Sequence, residues 1–178
     1  PGVIGTLGAR FEETRTETGL TTPQSVELIQ ILQTMREAGA TAAVMEVSSH
    51  ALVQHRASGV SFDVGVFTNL TQDHLDYHGS LDAYFEAKAM LVSSRLKQGG
   101  CAVINLDDPK VASLLGPGVI GFSRLGHSDA RIRVTEERLS IDSIELTVTI
   151  DGAELALTSP LVGAFNVENI LAALDTFY

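Results

Sequence analysis

Three residues stand out for the chemistry their types and settings allow: Glu46, His74 and Lys88. Glu46 sits near the end of the apolar run Ala42–Val47. A carboxylate at such a strand end is costly to bury unless it is paired or holds a metal. A capping or salt-bridging glutamate is the competing role. His74 stands at i, i+4 spacing from His78, with Asp73 and Asp76 beside them. Zinc ligands share that spacing, but no helix start supports it and no third ligand is evident in the sequence. A hard magnesium ion takes mainly oxygen ligands, with a histidine only occasionally. The alternative is a surface loop rich in Asp and His. Lys88 falls in the stripe Leu81, Tyr84, Phe85, Lys88, Leu91 and Val92, which places it on or beside the buried face of a helix. Burial favours the neutral amine, the form that attacks electrophiles and can add CO₂ to become an anionic carbamate. The alternative is a stem lying along the core edge with its ammonium in water.

Positioning such groups requires strand ends, and the sequence supplies them. Val3–Leu7, Ala42–Val47, Phe62–Phe67 and Cys101–Ile104 read as strands. Thr22–Pro23 reads as a helix start with Thr22 as cap, followed by Val26, Ile29, Leu32 and Met35 at helical spacing up to Gly39. Ser80 caps a second helix from Leu81 to about Lys97, and Asp108–Pro109 begins a third. This alternation predicts an α/β fold with a mostly parallel sheet flanked by helices over residues 1–125. After Gly126 the pattern turns β-rich, with Ala130–Val134, Leu139–Ile150 and Ala153–Thr158 and a hairpin turn at Asp151–Gly152. A small appended antiparallel sheet is expected over residues 126–160, and a last helix from about Phe165 to Tyr178 within 161–178. Ligands in open parallel sheets bind beyond the carboxyl ends of strands. Three polar loops fall there: Glu46–His50, Thr68–His78 and Asn105–Asp108.

Composition narrows the function classes. With 178 residues, 44% of them hydrophobic, the chain is long enough for a real core. A net charge of -10 disfavours non-specific nucleic-acid binding, and 6% aromatics with no Trp argues against stacking platforms for single strands. No apolar run is long enough for a membrane span, and no secretory signal is expected from PGVIGTLGARFEE. The lone Cys101 fits a reducing cytoplasm.

Five stretches in order carry a family resemblance: TTP at Thr21–Pro23, MEVSSHALVQHR at Met45–Arg56, VFTNLTQDHLDYHGSLDAYFEAK at Val66–Lys88, INLDDP at Ile104–Pro109 and GAFNVENILAA at Gly163–Ala173. Together they resemble the Mur ligases, and among these the branch that adds the third residue of the peptidoglycan stem. The resemblance implies a central ATP-binding domain and ATP-dependent amide formation through an acyl phosphate, with ATP and Mg²⁺ as cofactors. It implies UDP-N-acetylmuramoyl-dipeptide and an amino acid as substrates, and a cytoplasmic location. Residue by residue, it implies Lys88 as a carbamate, His74 and Glu46 at the magnesium ions and the reacting phosphate. Thr21, Thr22, Ser48, Gln54 and Arg56 would contact the UDP-linked substrate, and Asn166 and Asn169 would lie near the adenine. Asn105 and Asp107 lie in a loop to which the resemblance gives no firm role. Arg56 has the planar fork suited to a carboxylate or phosphate.

The sequence also departs from the pattern. It contains no GxxxxGK[ST] phosphate loop. The resemblance implies that such a loop would precede the Val3–Leu7 strand, upstream of Pro1, with further domains on either side. The isolated chain is therefore expected to be inert. Leu20 stands where the tripeptide ligases usually have Asn. Competing readings are a folylpolyglutamate or cyanophycin synthetase-like ligase, or a non-catalytic binding module.

Overall fold

The computed structural model describes residues 1–71 and 73–177. Gln72, in the second polar loop, and Tyr178, the expected helix end, lie outside the described residues. The chain divides into two units: Pro1–Phe62 with His74–Arg95, and Asp63–Asp73 with Leu96–Tyr178.

The first unit holds a four-stranded sheet with strand order β3-β2-β1-β4. Strands β1 (Gly2–Gly5), β2 (Gly8–Phe11) and β3 (Thr14–Thr16) form an antiparallel meander, while β4 (Ala43–Met45) pairs parallel to β1 at the sheet edge. The expected strand Val3–Leu7 stops at Gly5, because Thr6 and Leu7 make a two-residue turn that sets Gly5 opposite Gly8. Gly8 has φ +87°, and a Cβ there would fall 2.6 Å from the Thr16 carbonyl oxygen, so only glycine fits.

Helix α1 runs Ser25–Glu37, two residues later than a cap at Thr22 implies, and its cap residue is Gln24 without a side-chain bond. Thr22 is buried and spends its hydroxyl elsewhere, as described below. The packed face of α1 is Leu28, Ile31, Leu32 and Met35 against Ile4, Ala9 and Phe11. Val26, expected to be inward, is 71% exposed. Both sets keep helical spacing, and the position of the sheet decides between them. Helices α2 (Ser49–Val53), α3 (Leu75–His78) and α4 (Leu81–Ser94) complete the unit. Ser80 caps α4 by accepting from Ala83 N, as the sequence implies.

The second unit carries a six-stranded sheet with order β10-β9-β8-β7-β6-β5. Strand β5 spans Phe62–Phe67 as expected, and β6 runs Leu96–Asn105, longer than Cys101–Ile104. Strands β6, β7 (Val119–Ser123) and β8 (Ile132–Leu139) pair in parallel; β8, β9 (Ile144–Ile150) and β10 (Ala153–Ser159) pair antiparallel. The β-rich stretch thus extends the parallel strands within one sheet. The expected strand Leu139–Ile150 is broken at 140–143, where Ser140 Oγ bonds the Ser143 amide and carbonyl and turns the chain into a hairpin. Helix α5 (Pro109–Ala112) is capped by Asp108, and α6 (Ala164–Phe177) buries Val167 and Leu171 against Val103, Phe122 and Ile132. The fold is α/β, as the alternation predicts. No helix among the described residues is long and apolar enough to cross a membrane.

Candidate functional site

Eight of the ten sequence-selected site residues fall in the first unit: Glu46, His74, Lys88, Thr21, Thr22, Ser48, Gln54 and Arg56. One chain of contacts starts at the carboxyl end of β4. The Glu46 carboxylate accepts from the Thr6 hydroxyl at 2.7 Å and the Thr6 amide at 3.3 Å, and Thr6 Oγ1 lies 3.2 Å from Thr21 Oγ1. Glu46 is exposed, so the expected cost of burying its charge does not arise. Its strand lies at the sheet edge, and the carboxylate is held by hydrogen bonds in reach of solvent. The buried Thr22 hydroxyl donates to the Glu46 carbonyl (2.9 Å) and accepts from the Ser48 amide (3.0 Å). It pins the loop after β4 in place. Ser48 then caps α2 by accepting from Ala51 N.

Arg56 leads away from the same loop. It is 9% exposed, donates Nη1 to the Thr22 carbonyl at 3.2 Å, and grips Gln54 Oε1 through both Nε and Nη2. Gln54 Nε2 in turn donates to the Tyr77 hydroxyl at 3.1 Å. Thr22, Gln54 and Arg56 therefore form one hydrogen-bonded group.

A cluster of rings adjoins it. His50 stacks on Tyr77 with centroids 4.0 Å apart and meets His74 edge-on at 4.8 Å and His78 at 5.5 Å. Tyr84 lies 6.1 Å from His74 and 5.2 Å from His78, and Lys88 Nζ sits 5.4 Å from the Tyr84 ring centre. His74 and Lys88 thus share one neighbour, Tyr84. Lys88 is half-buried, which agrees with a place beside the buried face. No helix start is expected near His74 from its sequence setting, yet α3 begins there: His74 adopts φ +54° as its N-cap, and its carbonyl accepts from His78 N. His78 Nε2 lies 2.9 Å from the buried Ser49 hydroxyl. Burial, and then the adjacent His50 and His74, lower the His78 pKa. A cavity of about 270 Å³ lies between the β2–β3 hairpin and α1, and none of these residues lines it.

Asn166 and Asn169 belong to the second unit, on the first turns of α6. Asn169 donates to Asn166 Oδ1 at 3.1 Å, and Asn166 to the Val162 carbonyl at 2.8 Å. Asn105 is buried and lies 3.4 Å from the Glu168 carboxylate, whose pKa is raised by burial. Asp107 accepts from the Ser123 hydroxyl and from the Arg124 and Leu125 amides. That pattern makes Asp107 the organiser of the loop after β7, a structural role.

Residues 1–176 match the family model described as Mur ligase middle domain. The chain belongs to the Mur ligase family. A UDP-N-acetylmuramoyl-L-alanyl-D-glutamate–2,6-diaminopimelate ligase from Xylella fastidiosa (strain 9a5c) is 44% identical over 179 residues, covering 98% of this chain and 36% of the relative. A solved structure titled as the same kind of ligase superposes with a TM-score of 0.85 at 35% identity, again over 98% of this chain and 36% of that one. A ligase named MurF from Thermotoga maritima, solved with ADP, shares the fold with a TM-score of 0.60 at 18% identity over 70% of this chain and 29% of that one. The chain spans about a third of the length of the relatives it matches.

In this Mur ligase middle domain, no three His, Cys, Asp or Glu side chains among the described residues are grouped to hold a metal. Glu46 offers carboxylate oxygens and His74 a ring nitrogen, and an unmodified Lys88 ammonium offers no donor lone pair. By donor chemistry alone, carboxylate oxygens, a carbamate at Lys88 and phosphate oxygens are the kind of ligand a hard divalent ion takes. Sequence reading did not single out Thr6, Ser49, His50, Tyr77 or Tyr84. Tyr84 was legible only as a core position. Thr6 carries no signal in the sequence, because its contact with Glu46 depends on a hairpin turn that lies inside the apolar run Val3–Leu7.

Proposed function

We propose that this chain is the middle domain of an ATP-dependent ligase that adds an amino acid to UDP-N-acetylmuramoyl-L-alanyl-D-glutamate in peptidoglycan synthesis, in the cytoplasm. The observation that carries this reading is one run of contacts: the loop of Glu46 and Ser48 is bonded to Thr22, Thr22 to Arg56, Arg56 to Gln54 and Gln54 to Tyr77, in the ring cluster that includes His74 and Tyr84 with Lys88 beside it, while Thr6 joins Glu46 to Thr21. Membership of a family whose members use ATP supports the nucleotide.

The reaction assigns work to these groups in turn. The γ-phosphoryl group of ATP moves onto the terminal carboxylate of the UDP-linked dipeptide, and ADP leaves. The amine of the incoming amino acid then attacks the acyl carbon, the C–O bond to phosphate breaks, and an amide and inorganic phosphate result. Both steps crowd anions, so positioning and charge neutralisation dominate the catalysis. Glu46, His74 and a carbamylated Lys88 would hold magnesium, which would supply the positive charge that offsets the phosphates. Thr6 holds the Glu46 carboxylate in its orientation. Arg56, pre-set by Gln54 and the Thr22 carbonyl, keeps unused N–H donors for a substrate anion. Asn166 and Asn169 present amide groups suited to a purine edge.

Transfer of a heavy-oxygen label tests the acyl phosphate. With the label in the reacting carboxylate of the dipeptide, the full-length ligase should release inorganic phosphate carrying one labelled oxygen. Amide formation with unlabelled phosphate would overturn the reading.

A further inference from the structure

Tyr77 carries none of the ligand or substrate roles given to the site residues, yet the contacts on either side of it converge there. Its hydroxyl accepts the hydrogen bond from Gln54 Nε2 at 3.1 Å, and Gln54 Oε1 is the acceptor that fixes Arg56. Its ring stacks on His50 at 4.0 Å, and His50 meets His74 edge-on at 4.8 Å. Its backbone amide donates to the His74 carbonyl at 3.1 Å, within α3. The side chain is 42% exposed and does not serve the hydrophobic core. A phenol is suited to this position: the ring braces imidazoles while the oxygen anchors an amide. Phenylalanine would brace without anchoring. A smaller residue would do neither.

We propose that Tyr77 is a positioning residue that couples the Gln54–Arg56 grip on the UDP-linked substrate to the orientation of His74. The inference rests on the ligase reading above. Gln54 has one oxygen, spent on Arg56, and its amide nitrogen must be anchored for that oxygen to stay in place. Without the Tyr77 hydroxyl the Gln54 side chain gains rotational freedom, and the oxygen that accepts two of the three Arg56 bonds is held less firmly. Without the Tyr77 ring, His50 loses its stacking partner, and His74 loses the ring that His50 sets against it.

Steady-state kinetics of the full-length ligase separate the two jobs. Tyr77→Phe should raise KM for the UDP-linked dipeptide by about three- to tenfold, the scale of one lost hydrogen bond, while KM for ATP and kcat stay within about twofold. Tyr77→Ala should raise the same KM and also lower kcat by about tenfold or more through His74. Equal KM values for wild type and Tyr77→Phe, with Tyr77→Ala changing only the melting temperature, would reduce Tyr77 to a structural side chain and overturn the proposal. A wild-type enzyme that forms no amide would overturn the ligase reading as well, so the wild-type control tells the two failures apart.

Discussion

Gly5 and Glu46 lie in contact: a Cβ built on Gly5 would fall 2.5 Å from Glu46 Oε1. The absence of a side chain at Gly5 is what lets the carboxylate lie back over β1 and meet Thr6. Gly5→Ala should therefore displace the end of a flexible side chain while leaving the sheet intact. The expected result is a loss of about ten- to hundredfold in kcat/KM of the full-length ligase, the scale seen when groups orienting a metal ligand are disturbed. The melting temperature should change little. A variant with wild-type kcat/KM would show that the Glu46 carboxylate does not need this orientation.

Thr22 supplies a second test, this time of stability. Its buried hydroxyl satisfies both the Glu46 carbonyl and the Ser48 amide. Thr22→Val keeps the shape and leaves both groups without that partner, at a cost of about 2–3 kcal/mol. Thr22→Ser should retain most of the stability. Urea denaturation of both variants checks this, and equal midpoints for valine and serine would contradict it.

Asp175, buried on α6, sets a pH dependence. Its Oδ1 lies 3.4 Å from Arg131 Nη1, while Oδ2 has no hydrogen-bond partner among the described residues. Burial, only partly offset by Arg131, raises its pKa from 3.8 to about 6. The fold thus binds this proton more tightly than the unfolded chain does. The group's contribution to stability is fully present below the unfolded value and is lost as pH rises through about 6. Asp175→Asn removes that dependence, so its advantage over wild type should grow between about pH 4.5 and 7.5, by on the order of 1–3 kcal/mol. Thermal melts at the two pH values check it. A constant difference would mean that Asp175 titrates alike in both states.

Much of this arrangement was legible in the sequence because local chemistry fixes it. Ser80 and Asp108 cap the helices that their side chains demand, and β5 has the bounds its apolar run implies. Thr22–Pro23 misled, since the same residue type that caps helices can be taken by a buried loop, and Thr22 is held there by Glu46 and Ser48. The β1–β2 turn was hidden inside an apolar run, and with it the role of Thr6. The apolar run before Glu46 places it after β4, but the burial that run implies does not occur, because β4 lies at the sheet edge and leaves Glu46 exposed. Tyr77 was out of reach, because its partners Gln54 and His50 are more than twenty residues away and meet it only when α3 folds beside α2.

In the proposed function Glu46, His74 and Lys88 serve an ATP-dependent ligation. Its most direct test is ADP release by the full-length ligase given the UDP-linked dipeptide and an acceptor amino acid, for wild type and for Lys88→Ala. Release should require both substrates in the wild type and fall by about a hundredfold or more in Lys88→Ala. Wild-type turnover in Lys88→Ala, or ADP release that ignores the dipeptide, would contradict it.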